Sequence, residues 1–561
     1  MLRGRGHGGR AWAALGILGA VGLAGCMGKS LAPDPAVEGR LSEARAAVAA
    51  RASAMAPPPA PAPGAARKGE VRLTLQETLR AAMAGNRDIQ LAAYEPRLAM
   101  EDVVRAEAVF DPSVFFTNTF GRSKRPIQST LDTGRPADST YIEDSWAFQG
   151  GVRQPLILGG AFSVYEEMNW LDTNSMITLP NPQFRGTLNA ELSQPLLKGF
   201  GAPLNRAAMR VADLTARMSL ERFRQRVMDV AAAVTQTYWQ LAHDLAVVAV
   251  TRQSLQQARE VLRREGVRLA QGISKEVDVD RARAAVAVRE VDVLRAESQV
   301  RTTLDRLKLI VNSPDLPLGE EPALVQTAAL HCYEVRVDRA EAVANALANR
   351  PDLEGARMAV AANQVRLDVA EHEQLPKLDA VLRYSLHGLG TNWYESMREQ
   401  RLTGPYSWSA GLEFEVPIGN RSAKADHRKR ILEREESLLE SERLVAEALF
   451  EVNEAVRSAR VTRQEVDATA RASEAADRAM KGELARFELA ERTNEDLLLA
   501  QDTLARAQRD HLRALLAFNV AVIDLARAQG TILGEIGIEI VGPARDDQDR
   551  LGPVRASVRP E

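Results

Sequence analysis

Between Val234 and Arg281, apolar residues recur every seventh position: Val234, Leu241, Val248, Leu255, Leu262 and Leu269. A second seam, offset by four, carries Tyr238 and Leu245 and then turns polar at Arg252 and Arg259. A seven-residue apolar repeat keeps one helix face turned toward a partner helix. The helical pattern runs almost unbroken from about Asn205 to Ala270. At 1.5 Å per residue this predicts a rod of roughly 100 Å. The rod stops at Gly272-Ile273-Ser274, and a return helix follows from about Ser274 to Val311, ended by Asn312-Ser313-Pro314.

Upstream, Thr74 can cap a helix that starts at Leu75 and runs to about Val109, where Asp111-Pro112 ends it. Four strand candidates follow: Ser113 to Phe120, Glu143 to Gln154, Ala161 to Trp170 and Gln183 to Gln194. Polar loops at 121–142 and 171–182 separate them. Aromatic residues crowd into this window and into a second one, from Tyr384 to Phe414. Weak alternation of this kind suits barrel strands. It suits equally a soluble β-subdomain whose aromatics fill a core.

The second half of the chain repeats the first. Asn349-Arg350-Pro351-Asp352-Leu353 echoes Asn86-Arg87-Asp88-Ile89, and Pro417-Ile418 before Asn420-Arg421 echoes Pro195-Leu196 before Asn205-Arg206. Strands are predicted at about Leu378 to His387 and Tyr406 to Val416. A long helix then runs to about Leu489, a turn lies near Ala490 to Asn494, and a last helix reaches about Gln529. The division expected is a signal segment at 1–25, a linker at 26–70, a first repeat at 71–314, a link at 315–340, a second repeat at 341–541 and a disordered tail at 542–561. Two copies of one unit explain the length without several domains.

Composition narrows the function. Of 561 residues 26% are charged, yet the net charge is only −3, which argues against an electrostatic nucleic-acid binder. After the N-terminus no apolar run approaches the ~20 residues that a membrane helix needs. A membrane-spanning chain of this kind must therefore use a closed barrel. The start, with Arg3, Arg5 and Arg10 before the apolar run Ala11 to Gly25, reads as an export signal. Leu23-Ala24-Gly25-Cys26 resembles a bacterial lipobox, in which Cys26 would be acylated; an ordinary cleaved signal is the alternative. Met27, not Asp, follows, which by resemblance to enterobacterial lipoproteins favours the outer membrane. The Pro-rich stretch at 57–64 makes the linker extended. There are two cysteines, no His-x-x-x-His pairing and no catalytic set, so neither an enzyme, a metal nor a cofactor is expected beyond the lipid on Cys26.

Several residues together carry a resemblance to the TolC-like outer-membrane efflux proteins over roughly residues 70 to 540. They are Gln194-Pro195-Leu196-Leu197-Lys198-Gly199-Phe200-Gly201 ahead of the first long helix, and Arg268-Leu269 with Gly272 and Asp278 at its far end. In the second copy they are Pro417-Ile418-Gly419 and Arg486-Phe487 with Asp496. The resemblance implies a mainly α fold with membrane β-strands. Three chains would close one transmembrane β-barrel, and their long antiparallel helical hairpins would form a periplasmic α-barrel. It implies a homotrimer in outer-membrane lipid, with most of its mass in the periplasm. The trimer would serve as a passive exit duct for efflux or type I secretion, with a periplasmic adaptor and an inner-membrane pump as partners. Family members usually show two strands per repeat, whereas four are predicted in the first repeat here, so the pair near 161–194 either enlarges the barrel or sits outside it. By resemblance, Asp496 is the expected pore-gate residue, with Asp278 of the first turn beside it. The tips at Arg268, Leu269, Gly272, Arg486, Phe487 and Ala490 are expected to contact the adaptor. Two alternatives stay open. Thr493 and Asp496 have the spacing of a helix cap, so Asp496 can serve the helix instead. The chain can also be a structural or adaptor-like periplasmic coiled-coil lipoprotein without a pore.

Overall fold

A computed structural model describes residues 71–127, 129–136, 139–272, 274–313, 325–333, 338–402, 404–489, 493–542 and 554–558. The chain divides into two units: Arg72–Pro317 with Val325–Glu561, and Met1–Val71 with Leu318–Leu324. Apart from Val71 the second unit lies outside the described residues, and Cys26, the Pro-rich linker and the signal segment fall with it. No described helix is long and apolar enough to cross a membrane.

The seam that begins at Val234 lies in a single helix of 64 residues, α4 (Ala207–Ala270), about 96 Å long at 1.5 Å per residue. Val234, Leu241, Val248 and Leu255 are all buried, whereas Leu262 is half-buried and Leu269 exposed. Tyr238 is fully buried, and its hydroxyl donates to Leu73 O (3.0 Å) and accepts from Ala328 N (2.9 Å). The return helix is α5 (Glu276–Val311). Where the second seam turns polar, Arg252 and Arg259 reach across this hairpin to Glu297 (2.6 Å) and Glu290 (2.7 Å). Exposed pairs like these contribute at most about 1 kcal/mol each, so the buried apolar seam holds the hairpin. A buried hydrogen bond from Thr303 Oγ1 to Asp244 Oδ2 (2.6 Å) fixes its register. The second copy repeats the unit with α9 (Arg421–Glu488) and α10 (Asn494–Gln529).

Shorter helices brace these rods. The single helix predicted from Leu75 is instead three: α1 (Leu75–Gly85), α2 (Arg87–Ala92) and α3 (Tyr94–Glu107). Asn86 causes the first break. Its backbone turns extended, its Oδ1 accepts from Ile89 N (3.0 Å), and its Nδ2 donates to Ile310 O (2.7 Å). At the matching place in the second copy Arg350 separates α6 (Arg339–Asn349) from α7 (Pro351–His372). Burial alone would lower the pKa of Arg350, but hydrogen bonds to Asp352 and Glu451, both 2.6 Å, outweigh it and raise the pKa above the ordinary guanidinium value.

Six strands form one antiparallel sheet in sequence order: β1 (Ser113–Pro126), β2 (Thr140–Pro155), β3 (Ala161–Thr173), β4 (Gln183–Pro195), β5 (Lys377–Gly390) and β6 (Tyr406–Glu415). The additional pair is therefore part of the sheet: β3 and β4 sit at its centre, and β4 pairs with β5 of the second copy. Alternate residues point to opposite faces of a strand, and the register sorts them. Phe120, Trp146, Trp170 and Phe184 stand side by side on one face of four successive strands. Tyr406, Trp408, Leu412 and Phe414 continue that face on β6. The opposite face carries Arg185, Thr187, Asn189 and Glu191 on β4 and Ser407, Ser409 and Glu413 on β6. The apolar face is not a core, because Phe116 and Trp408 are each 71% exposed. Within one chain these aromatics therefore fill no core of their own.

Two further departures concern short elements. A helix not predicted from the sequence, α8 (Trp393–Leu402), joins β5 to β6. The tail, expected to be disordered from Gly542, pairs Arg555–Val558 antiparallel with Ile538–Val541.

Candidate functional site: the paired helical tips

The far ends of the two long hairpins meet. At the first, α4 closes with Gly272 at φ +73°, where a Cβ would meet nothing within 4 Å. Backbone conformation, not space, therefore selects glycine. Gly272 N donates to Leu269 O (2.9 Å), and Ser274 N to Arg268 O (3.3 Å). Ser274 Oγ donates to Glu265 Oε2 (2.5 Å), and Glu265, buried, also takes Arg268 at 3.4 Å. Glu276 and Asp278 then lie in the first turn of α5, where acids complement the helix dipole. About three turns before Gly272 on α4, Glu260 accepts from Arg263 and Arg264, which hold its carboxyl down at about 2.

At the second tip, Thr493 and Asp496 form a reciprocal cap. Thr493 Oγ1 accepts from Asp496 N (3.3 Å), while Asp496 Oδ2 accepts from Thr493 N (3.1 Å) and from Thr493 Oγ1 (2.8 Å). The capping role weighed for Asp496 is thus present in the structure. Ala490 lies outside the described residues, as do Glu491 and Arg492.

The tips are fastened to each other. Phe487, only 3% exposed, packs with Val261, Ala282 and Leu497, and the Arg268 guanidinium lies 5.0 Å from its ring centre. Asn494 Nδ2 donates to Asp278 O (3.1 Å). Arg281 lies between Asp278 (3.8 Å) and Glu495 (3.4 Å), and Arg264 pairs with Glu488 (2.9 Å). Sequence reasoning singles out Asp278 and Asp496 as site residues but gives no role to Arg281 and Asn494, which join the two turns. Arg486 stays on the surface, paired with Glu483 at 3.3 Å. Leu269, Val267, Val277 and Leu489 are exposed around the block. Among the described residues no group of three or more His, Cys, Asp or Glu could hold a metal ion.

Comparison with known proteins places this geometry. The family profile of outer membrane efflux proteins matches residues 180–313 and 342–531, which together make up more than half of the chain. Among curated protein sequences none matches. Among solved structures, the chain is similar to the CmeC outer membrane channel of Campylobacter jejuni, with a TM-score of 0.60 and 15% identity over 82% of this chain and 86% of that one. It is similar to the outer membrane protein VceC of Vibrio cholerae, at 0.59 and 15% over 81% and 96%. It is similar also to the open-state MtrE channel of Neisseria gonorrhoeae, at 0.58 and 17% over 82% and 89%. At these identities the likeness fixes the fold, and the profile match carries the family. The match takes in β4 with the first helical hairpin and then nearly the whole second copy, and the chain belongs to the outer membrane efflux protein family.

Proposed function

We propose that three copies of this chain close a duct through which cargo leaves passively, handed over by a periplasmic adaptor and an inner-membrane pump. The observation that carries this reading is a sheet with an exposed apolar face and two edges that no other described strand pairs, whose strands lead into rods of 64 and 68 residues, about 96 and 102 Å long. Such edges invite pairing, and only closure removes them. Three six-stranded sheets would give a barrel of eighteen strands, a size that in porins leaves an aqueous channel. The exposed apolar residues around the paired tips supply the adaptor surface. The pump supplies both energy and choice of cargo.

In this reading the acids of the tips ring the periplasmic entrance. Purified protein is expected to conduct ions in planar bilayers as a trimer. Asp496→Asn should reduce cation selectivity, while Thr493→Ala, which removes the cap but keeps the charge, should leave selectivity intact and cost about 1 kcal/mol of tip stability. Equal selectivity in wild type and Asp496→Asn would leave Asp496 with the capping role alone. A soluble trimer that never conducts would favour the coiled-coil lipoprotein.

Acylation of Cys26 would add membrane affinity of about 0.8 kcal/mol per buried CH₂. The support for it is Leu23-Ala24-Gly25-Cys26. Cys26→Ser should abolish incorporation of labelled palmitate, and persistent labelling would rule out the lipobox.

A further inference from the structure

α8 lies on the apolar face of the sheet, against β4 and β5. A Cβ on Gly388 would come within 2.0 Å of Ser396 O, so the helix sits directly on the backbone there. Ser396 Oγ accepts from Gly186 N (2.8 Å) and donates to Gly388 O (3.1 Å). Gln400 Nε2 donates to both carboxylate oxygens of Glu166 (3.0 and 3.2 Å). Ser396 and Gln400 are buried four residues apart and define the inner face of α8. Tyr394, Arg398 and Arg401 recur at the spacing of one helix stripe, on the side opposite that face, and all three are exposed.

The acids of this segment are engaged elsewhere. Glu395 accepts from Thr391 N (3.1 Å) and Thr391 Oγ1 (2.5 Å), and Glu399 accepts from Leu389 N (2.9 Å). Among the described residues neither Arg398 nor Arg401 is in an ion pair, although Arg401 feels the charge of Glu166. Trp393 and Leu402 are exposed beside them. Position along the strands fixes the level. β5 leaves α7 at Lys377 and ends at Gly390, so α8 lies at the end of the sheet remote from the long helices. Resting on the reading that the apolar face meets lipid and the helices fill the periplasm, this is the outer-leaflet end.

We infer that α8 is a docking surface for a phosphate-bearing lipid of the outer leaflet, with Arg398 and Arg401 on its phosphates and Trp393 and Tyr394 at the headgroup boundary. Two arginines outside any ion pair among the described residues, held over an apolar surface, complement an anionic headgroup attached to acyl chains. Trp and Tyr favour that same depth. The surface is continuous with the apolar band of the sheet, so one molecule can meet both.

The test is native mass spectrometry of the detergent-purified trimer titrated with lipid A, compared with the double variant Arg398→Gln/Arg401→Gln. Wild type is expected to hold lipid A, and the variant to lose affinity by about tenfold or more, as expected for two surface charges. Phosphatidylcholine should show no difference, and inorganic phosphate should not compete at millimolar concentration. Equal lipid A binding in both proteins overturns the inference, as does full competition by inorganic phosphate. Bilayer conductance of the same variant separates the two readings. Normal conductance with unchanged lipid binding defeats the docking surface alone, whereas absence of conductance in wild type defeats the duct.

Discussion

Proline at Gly411 or at Leu412, introduced separately, is expected to abolish the trimer and with it all conductance. β6 pairs with β5 on one side, and its other side is the free edge of the sheet. Alternate N–H groups of such a strand point to the edge and to the neighbour. One of these adjacent substitutions therefore removes a donor from the closing seam, and the other removes one from the pairing that holds β6 in place. Neither displaces a packed side chain, since a Cβ at Gly411 meets nothing within 4 Å and Leu412 is 70% exposed. The loss is large because each unsatisfied backbone group in hydrocarbon costs several kcal/mol, and threefold closure repeats it at every seam. Helix content by circular dichroism should stay unchanged, because the hairpins α4–α5 and α9–α10 are held by their own seams. Trimers that survive gel electrophoresis with full conductance in both variants would show that β6 does not close the barrel.

The long hairpins were legible in the sequence because a sustained repeat has one physical solution. Strand positions were legible too, but not their ends. β1 was predicted to stop at Phe120 and continues to Pro126 through Gly121, Arg122, Ser123 and Lys124, whose composition reads as loop. Cross-strand chemistry keeps them in the ladder, as where Arg122 clasps Asp144 with two bonds of 2.5 and 2.6 Å. α8 was invisible for a different reason. It buries Ser396 and Gln400 and exposes Trp393 and Leu402, the reverse of the amphipathic rule that finds helices. Its glycine-lined seat on β4 and β5 comes from both halves of the chain. The break at Asn86 is set by docking on Ile310, 224 residues away. At the tips Gly272 announced a turn, and the Thr493–Asp496 spacing announced a cap. The bond between Asn494 and Asp278 spans 216 residues, so no local pattern could announce it.

That joint makes Phe487 the residue whose loss should be felt most at the paired tips. Phe487→Ala removes a buried ring from contact with Val261, Ala282 and Leu497. A change of this kind in a core costs about 3–5 kcal/mol, and loss of the Arg268 contact adds roughly 0.5–1 kcal/mol. The total stability of the protein can absorb this, but the ends of long hairpins cannot, since local opening there starts from a low free energy. Amide hydrogen exchange is therefore expected to accelerate around 484–489 and 493–498 and around Val261 to Leu269, with no change at Tyr238. On the proposed duct reading, conductance should rise toward a constitutively open level as the two turns separate. Arg268→Ala should give the same pattern at smaller magnitude, since it removes the ring contact and the 3.4 Å pairing with buried Glu265 but leaves the apolar cluster in place. Arg486→Ala serves as the contrast. Its side chain is exposed and among the described residues pairs with Glu483 on its own helix, so it should leave exchange and conductance unchanged and, on the proposed reading, weaken only capture of the adaptor. If Phe487→Ala leaves exchange at the tips as slow as in wild type, cohesion of the two turns does not rest on this cluster. The polar joint through Arg281 and Asn494 would then be the element that holds the two turns together.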